Sequence, residues 1–223
     1  MIVGPRTGGW LTIPSVSIDI WPIVHAERAA LAADLKTLPD ADAWNTPSLC
    51  AGWTVQDVLA HMTATAGTTP VSFLVGLAGS GFSFARFVGA GIARERGANP
   101  QETLDRFEAQ ISSTKAPPGP KPSWLGETIV HAEDIRHPLG LERTYPVEAL
   151  VALADFYKKS NTLIGAKSRI ADVALQATDA LWGHGSGALV EGPILALVTA
   201  MTGRKAYLDQ LSGPGVATLR SRD

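Results

Sequence analysis

The sequence predicts a mainly α-helical protein: a helical bundle followed by a small α/β module. Three observations predict it. Apolar residues recur at helical spacing in successive segments up to about residue 160, from Ile20, Val24, Leu31, Leu35 and Leu38 onward. Proline and glycine punctuate those segments. After residue 165 the pattern changes, because ADVALQATD alternates apolar and polar residues like a strand.

The elements follow in order. Residues 1–16 read as a loose arm. Ser17 to Leu38 reads as a helix with Pro22 in its first turn and Glu27 interrupting its apolar face. PDADAWNTPS is a connecting loop. Thr54 is a good N-cap, and Asp57 three residues later approaches a capping box. The helix so begun carries Val55, Val58, Leu59 and Met62 on its apolar side, places His61 beside Val58, and ends near Ala66-Gly67. Residues 68–98 allow two readings, one broken helix or a helix and a long loop. Asn99-Pro100 opens PQETLDRFEAQISS, with Leu104, Phe107 and Ile111 inward, and APPGPKP breaks it. SWLGETIVHAEDIRHPLG is a helix ending at Pro138, and Tyr145-Pro146 opens another through about Ser160. In the tail, LWGHGSGALVEG reads as a glycine-rich hairpin, PILALVTAMTGRKAYLDQL as a helix and GVATLRSR as an edge strand. The expected division is an arm at 1–16, a bundle at 17–162 and a module at 163–223.

Composition narrows the function classes. The chain has 223 residues, 45% hydrophobic and 18% charged, which is globular. A net charge of −2 without a lysine or arginine block argues against nucleic acid or an anionic membrane as partner. A single cysteine fits a reducing cytoplasm, and MIVGPRTGGWLTIPS does not read as a signal peptide. VSFLVGLAGSGFSFARFV is the most apolar stretch, but glycines, serines and Arg86 interrupt it, so it reads as buried or cleft-lining.

The chemistry-bearing residues cluster in two helices. Glu127 and His131 are four apart, one turn along one helix face, where a carboxylate and an imidazole can grip a divalent ion. His61, from another helix, would supply a third ligand. Two histidines, a glutamate and an open position describe a catalytic-type zinc site, and nickel, iron or manganese could use the same donors. The other reading is a surface pair with His61 as a core histidine. Asp57 either holds the second nitrogen of His61 or complements the helix dipole. Asp134 returns to the face of Glu127, as a support or substrate-facing group or as part of a surface ion pair. Glu133 is expected in solvent, His137 as a helix-end charge, and Cys50 as a small buried hydrophobe. His25 and His184 have no evident partner. No phosphate loop, GxSxG elbow, HExxH or dinucleotide fingerprint is present.

PSLCAGWTVQDVLAHM resembles the signature of the mycothiol-dependent maleylpyruvate isomerase family, within the DinB-like metal-binding four-helix bundles. GETIVHAEDIRHPLG resembles that family's later motif, and ALWGHGSGALVEGPILALVTAMTGRKAYLDQLSGPGVATL its C-terminal region, distantly sterol-carrier-like and here shortened. The resemblance implies a divalent metal, zinc foremost, on His61, Glu127 and His131, with mycothiol as thiol cosubstrate. It implies isomerisation or S-transfer on a small electrophile; Asp134, on its helical spacing, and Arg204 are the candidate catalytic residues. Arg204 matches a family arginine that could pair with a substrate carboxylate or else cap its helix. The rival expectation is a non-enzymatic bundle holding an apolar ligand or partner, and pairing through helix faces into a homodimer is compatible with both.

Overall fold

The computed structural model describes residues 18–162 and 164–222, so the expected arm at 1–16 lies outside the described residues. They form two compact units, one at Asp19–Phe156 and the other from residue 157 onward.

The first unit is helical. Helix α1 spans Ile20–Leu35, α2 Val55–Gly67, α3 Pro70–Gly79, α4 Phe84–Glu95, α5 Pro100–Glu108, α6 Pro122–Leu139, and α7, Val147–Tyr157, ends at the junction. Helices α1, α2, α5 and α6 pack on one another as a four-helix bundle. Their shared core includes Leu31, Leu35, Val58, Leu59, Leu104, Phe107 and Ile135, together with Trp44 from the first loop. Local chemistry sets the helix starts. Thr54 accepts from the Asp57 amide while the Asp57 carboxylate accepts from the Thr54 amide, a full capping box. Asn99 caps α5 ahead of Pro100. Gly140 closes α6 in the left-handed region at φ 66°.

Residues 68–98 form two helices, α3 and α4, bent by 109° at their break. Helix α3 buries no residue, and Val71, Leu74 and Val75 on its outer side are exposed. This segment packs on the bundle through α4, whose Gly91 approaches Ala64 of α2 so closely that a Cβ would lie 3.2 Å from the Ala64 methyl. No single helix among the described residues is long and apolar enough to cross a membrane.

Three charged residues on the bundle's inner faces are paired. Glu27, on the apolar face of α1 as the spacing indicated, accepts two hydrogen bonds from Arg143 at 3.0 Å each. Glu133 is a correction. It is buried, not solvated, because Tyr145 folds back over α6 and donates to its carboxylate at 2.5 Å. Arg136, fully buried, donates to the same tyrosine hydroxyl and to Asp34, each at 2.7 Å. Burial and the Glu133 charge raise the Tyr145 phenol above its ordinary range, so it stays a donor.

The loop before α2 is tied to α6 by a missing hydrogen bond. Pro138 lies inside α6 and has no N–H to give to the Asp134 carbonyl one turn back. That carbonyl instead accepts the Leu49 amide at 3.1 Å. The loop is folded for this contact: Ser48 Oγ donates to the Trp53 carbonyl at 2.8 Å, and Gly52 takes φ 79°, which favours glycine.

The second unit opens with a short helix, α8 (Ala166–Arg169), then strands β1 (Val173–Ala177), β2 (Gly183–Gly185) and β3 (Ala188–Gly192), then α9 (Ile194–Met201) and α10 (Val216–Arg220). The sheet order is β2-β1-β3, with β2 antiparallel and β3 parallel to β1. The expected hairpin within LWGHGSGALVEG is thus replaced by a β1–β2 hairpin with β3 on the far edge. Gly185 and Gly187 permit that crossing, since a Cβ at either would lie 2.2 and 2.1 Å from carbonyls at the start of β1. Two further expectations change. The long tail helix stops at Met201 before Gly203, at φ 91°, and resumes as a 3-10 turn over Lys205–Gln210. The expected last strand is α10; strand-like pairing is confined to one bridge between Glu191 and Ser212, after which Gly213 and Gly215 pass against the β3 backbone.

Two outcomes follow. Arg143→Met leaves the buried Glu27 unpaired and should cost about 2 kcal/mol in denaturant unfolding, below the ~3–5 of a fully buried pair because Arg143 is 34% exposed; an unchanged midpoint would refute that role. Pro138→Ala returns an amide to the Asp134 carbonyl and should speed Leu49 amide exchange by about five- to tenfold, the worth of one backbone hydrogen bond. Unchanged Leu49 protection would show that the proline does not tie the loop to α6.

Candidate metal centre

Three elements converge on one cluster of side chains. The capped helix α2 presents His61. Helix α6 presents Glu127, His131 and Asp134 along one face, and the loop tied to α6 brings Cys50 and Trp53. His61, Glu127 and His131 each place a ligand-type atom within 4.8 Å of the others. His61 Nε2 lies 3.9 Å from Glu127 Oε1, and the His61 and His131 rings meet edge to face at 5.0 Å. The Trp53 ring also lies against His61, tilted, at 5.1 Å.

Asp134 orients His131. Its buried carboxylate lies 2.8 Å from His131 Nδ1, which commits that nitrogen and leaves Nε2 for another ligand. The same carboxylate oxygen accepts the Cys50 thiol at 3.0 Å. Cys50 therefore departs from the expected buried hydrophobe: it is half-buried and hydrogen-bonded, because the loop's attachment to α6 carries it onto Asp134. Cys50, His131 and Asp134 form a second potential ligand group sharing His131 with the first.

The electrostatics divide the two imidazoles. Burial lowers the His61 pKa to about 3, the His131 charge adding to the effect, so its ring is neutral with a lone pair available. Burial also opposes charge on His131, but hydrogen bonds to Asp134 and Cys50 and the charge of Glu127 prevail and raise it to about 10. Burial pushes Glu127 up, against the opposing charges of His131 and Arg28 and the hydroxyl of Thr65. Glu127 Oε1 is nevertheless a buried acceptor with no hydrogen-bond donor. A lone buried carboxylate oxygen is costly, and a cation facing it with two imidazole donors removes that cost. The donor set of two histidines and a glutamate fits a divalent metal on this ground.

The remaining candidates fall elsewhere. Asp57 is taken up by Thr54 and Arg96 and does not reach the His61 ring as a support. Desolvation raises its pKa, but the Thr54 donors and Arg96 outweigh that and hold it below the usual carboxylate range. Arg204 belongs to the second unit, where its guanidinium donates to the Thr202 carbonyl at 3.1 Å. Sequence reasoning missed Arg28, a buried cation that donates to the Gln110 and Ser113 carbonyls and whose charge acts on Glu127. Its one sequence signal is its place beside Glu27, where the face of α1 turns inward.

A cavity of about 480 Å³ opens from His61 between α2, α3 and α4. Ala64, Gly76, Phe87, Val88 and Gly91 form its apolar wall, and Lys115 stands at its edge.

Two solved structures resemble this fold. One is a crystal structure of the mycothiol-dependent maleylpyruvate isomerase in a histidine-to-alanine variant, with TM-score 0.60 and 16% identity, covering 87% of this chain and 91% of that one. The other, of the mycothiol-dependent maleylpyruvate isomerase, gives TM-score 0.58 and 15% identity over the same shares. At these identities the likeness establishes the fold alone, a four-helix bundle with a small α/β module. Curated proteins offer no significant sequence match. Residues 24–136, which contain His61, Glu127, His131 and Asp134, match the family described as the mycothiol maleylpyruvate isomerase N-terminal domain. With half of its length matched, this chain belongs to that family.

Proposed function

We propose that this protein is a metal-dependent enzyme that uses a low-molecular-weight thiol, mycothiol, for isomerisation or S-transfer on a small electrophile. The observation that carries the reading is the meeting of His61, Glu127 and His131 around a buried carboxylate oxygen that has no donor. Family membership supports the thiol, and the histidine-carboxylate set supports a divalent metal, zinc foremost.

His61, Glu127 and His131 would hold the ion. When bound, it supplies a Lewis acid that stabilises a thiolate near neutral pH. The rest falls to side chains. Asp134 fixes the His131 ring so that Nε2 faces the cluster. Burial keeps His61 unprotonated, so no proton competes for its lone pair at neutral pH. Trp53 shields the His61 ring, and the loop of Cys50 walls off the Nδ1 side of His131. The reading places the reaction in the cytoplasm, where thiols stay reduced.

Cobalt(II) exchanged into the protein tests this reading. Adding mycothiol should produce a sulfur-to-cobalt charge-transfer band in the near ultraviolet, absent in His61→Ala. Cobalt uptake with no band on adding thiol would count against a thiol enzyme. It would favour the second reading, a non-enzymatic protein that holds an apolar ligand in the cavity beside His61.

A further inference from the structure

Helix α3 is amphipathic in reverse. Ser72, Gly76 and Ser80, spaced four apart, line the cavity beside His61. The outer side carries Val71, Leu74 and Val75, all exposed, Val71 at 72%. The turn that follows adds Phe82 at 78%, and exposed Phe84 opens α4. The hairpin itself is packed. Phe73 of α3 meets Phe87 of α4 edge to face at 5.2 Å, and a Cβ on Gly76 would lie 2.7 Å from the Phe87 ring. These inner contacts fix α3 on α4 and leave the large apolar side chains in water, where a contiguous patch marks an interaction surface.

The turn is built to hold Phe82 outward. Gly81 and Phe82 both take left-handed backbone, at φ 63° and 57°. Glycine adopts that region freely, whereas phenylalanine is strained in it. An exposed aromatic held under strain points to a contact made outside the fold. Arg86 lies beside this turn, its Nη1 3.7 Å from where a Cβ on Gly81 would be. Its guanidinium has no hydrogen bond or ion pair among the described residues. From Val58 to Arg94 the chain contains no aspartate or glutamate. The face is therefore apolar along α3, aromatic at the turn, and edged by one uncompensated cation.

We propose that the outer face of the α3–α4 hairpin docks on a lipid bilayer surface, with Val71, Leu74, Val75 and Phe82 at the acyl boundary and Arg86 at an anionic headgroup. Neither helix is long and apolar enough to cross a bilayer, and the pair bends by 109°, so the fit is to the plane of the interface. Without a lysine or arginine block the electrostatic share is that of one cation, and the apolar face supplies the rest. Size and charge decide against a second copy of the chain. The patch holds five large apolar side chains, against roughly 20–30 residues a side in a stable protein interface. A two-fold pairing would also set Arg86 against a face that has no carboxylate to answer it.

The test is co-sedimentation of the full-length protein with two kinds of vesicle, phosphatidylcholine alone and phosphatidylcholine with phosphatidylglycerol in equal parts. Metal content is measured on the same samples. The protein should bind both and prefer the anionic vesicles by about fivefold, the share of one cation near such a surface. Arg86→Gln should remove that preference and keep binding to phosphatidylcholine. Phe82→Gly and Leu74→Gln should each weaken binding to both vesicles by about tenfold. Phe82→Gly also relieves the left-handed strain, so it should unfold no earlier than the parent chain, which separates a lost contact from a lost fold. Leu74, Phe82 and Arg86 belong neither to the cavity lining nor to the metal cluster, so metal content should not change. Protein that sediments with neither vesicle would overturn the inference, and so would binding unchanged by both Phe82→Gly and Leu74→Gln. A lipid-free dimer that Phe82→Gly splits, with no vesicle binding, would overturn it by giving the face to a second copy. Vesicle binding by protein that takes up no metal would keep the docking and sink the thiol-enzyme reading. Metal uptake without vesicle binding would do the reverse.

Discussion

The candidate centre depends on a hydrogen bond that α6 cannot make with itself. Pro138 withholds an amide from the Asp134 carbonyl, and the Leu49 amide takes its place. This joins the loop before α2 to the helix that carries Glu127, His131 and Asp134. It fixes the N-terminal end of α2, and so the position of His61, against α6. It also brings Cys50 onto the Asp134 carboxylate and Trp53 over the His61 ring. A proline in a helix usually costs stability; here the freed acceptor becomes the joint between two halves of a site.

Around that joint, two groups of buried polar residues have different jobs. The Glu133–Tyr145–Arg136–Asp34 chain and the Glu27–Arg143 pair bond within the fold, with Arg136 Nη2 alone left without a partner, and set how the chain around Tyr145 returns to α6 and α1. The cluster at His61 is not satisfied. Glu127 Oε1 lacks a donor, His61 is held neutral, and His131 is oriented from behind by Asp134. What sets the cluster apart is its chemistry: an open carboxylate oxygen facing two imidazoles is a donor set for a cation, whereas the open guanidinium nitrogen of Arg136 is not.

Much of the bundle was legible in the sequence because its signals are local. The Thr54–Asp57 capping box, Asn99-Pro100 and the Pro138–Gly140 stop each act within one turn and mark the helix ends they were read to mark, although the helix opened at Pro100 stops at Glu108, short of the expected Ser113. Helical spacing also placed Glu127, His131 and Asp134 on one face. What spacing could not supply was long-range pairing. Glu133 read as solvated because its partner, Tyr145, is twelve residues on and returns by a loop. Cys50 read as apolar because its acceptor is on another helix. The sheet order escaped because β3 crosses to the far edge of β1 on glycines whose role shows only when carbonyls are beside them. Residues 68–98 stayed ambiguous because α3 turns small and polar residues toward the cavity and its larger apolar ones outward, the reverse of an ordinary surface helix.

The central claim is that the open valence at His61, Glu127 and His131 holds a metal. The most direct measurement is metal content by mass spectrometry on protein purified without a histidine tag or chelator, beside a His61→Ala/His131→Ala variant. This account predicts about one divalent ion per chain, lost in the variant while the helical circular dichroism is kept. Protein that takes up no metal even after zinc is added, or a variant that retains it in full, would contradict the account.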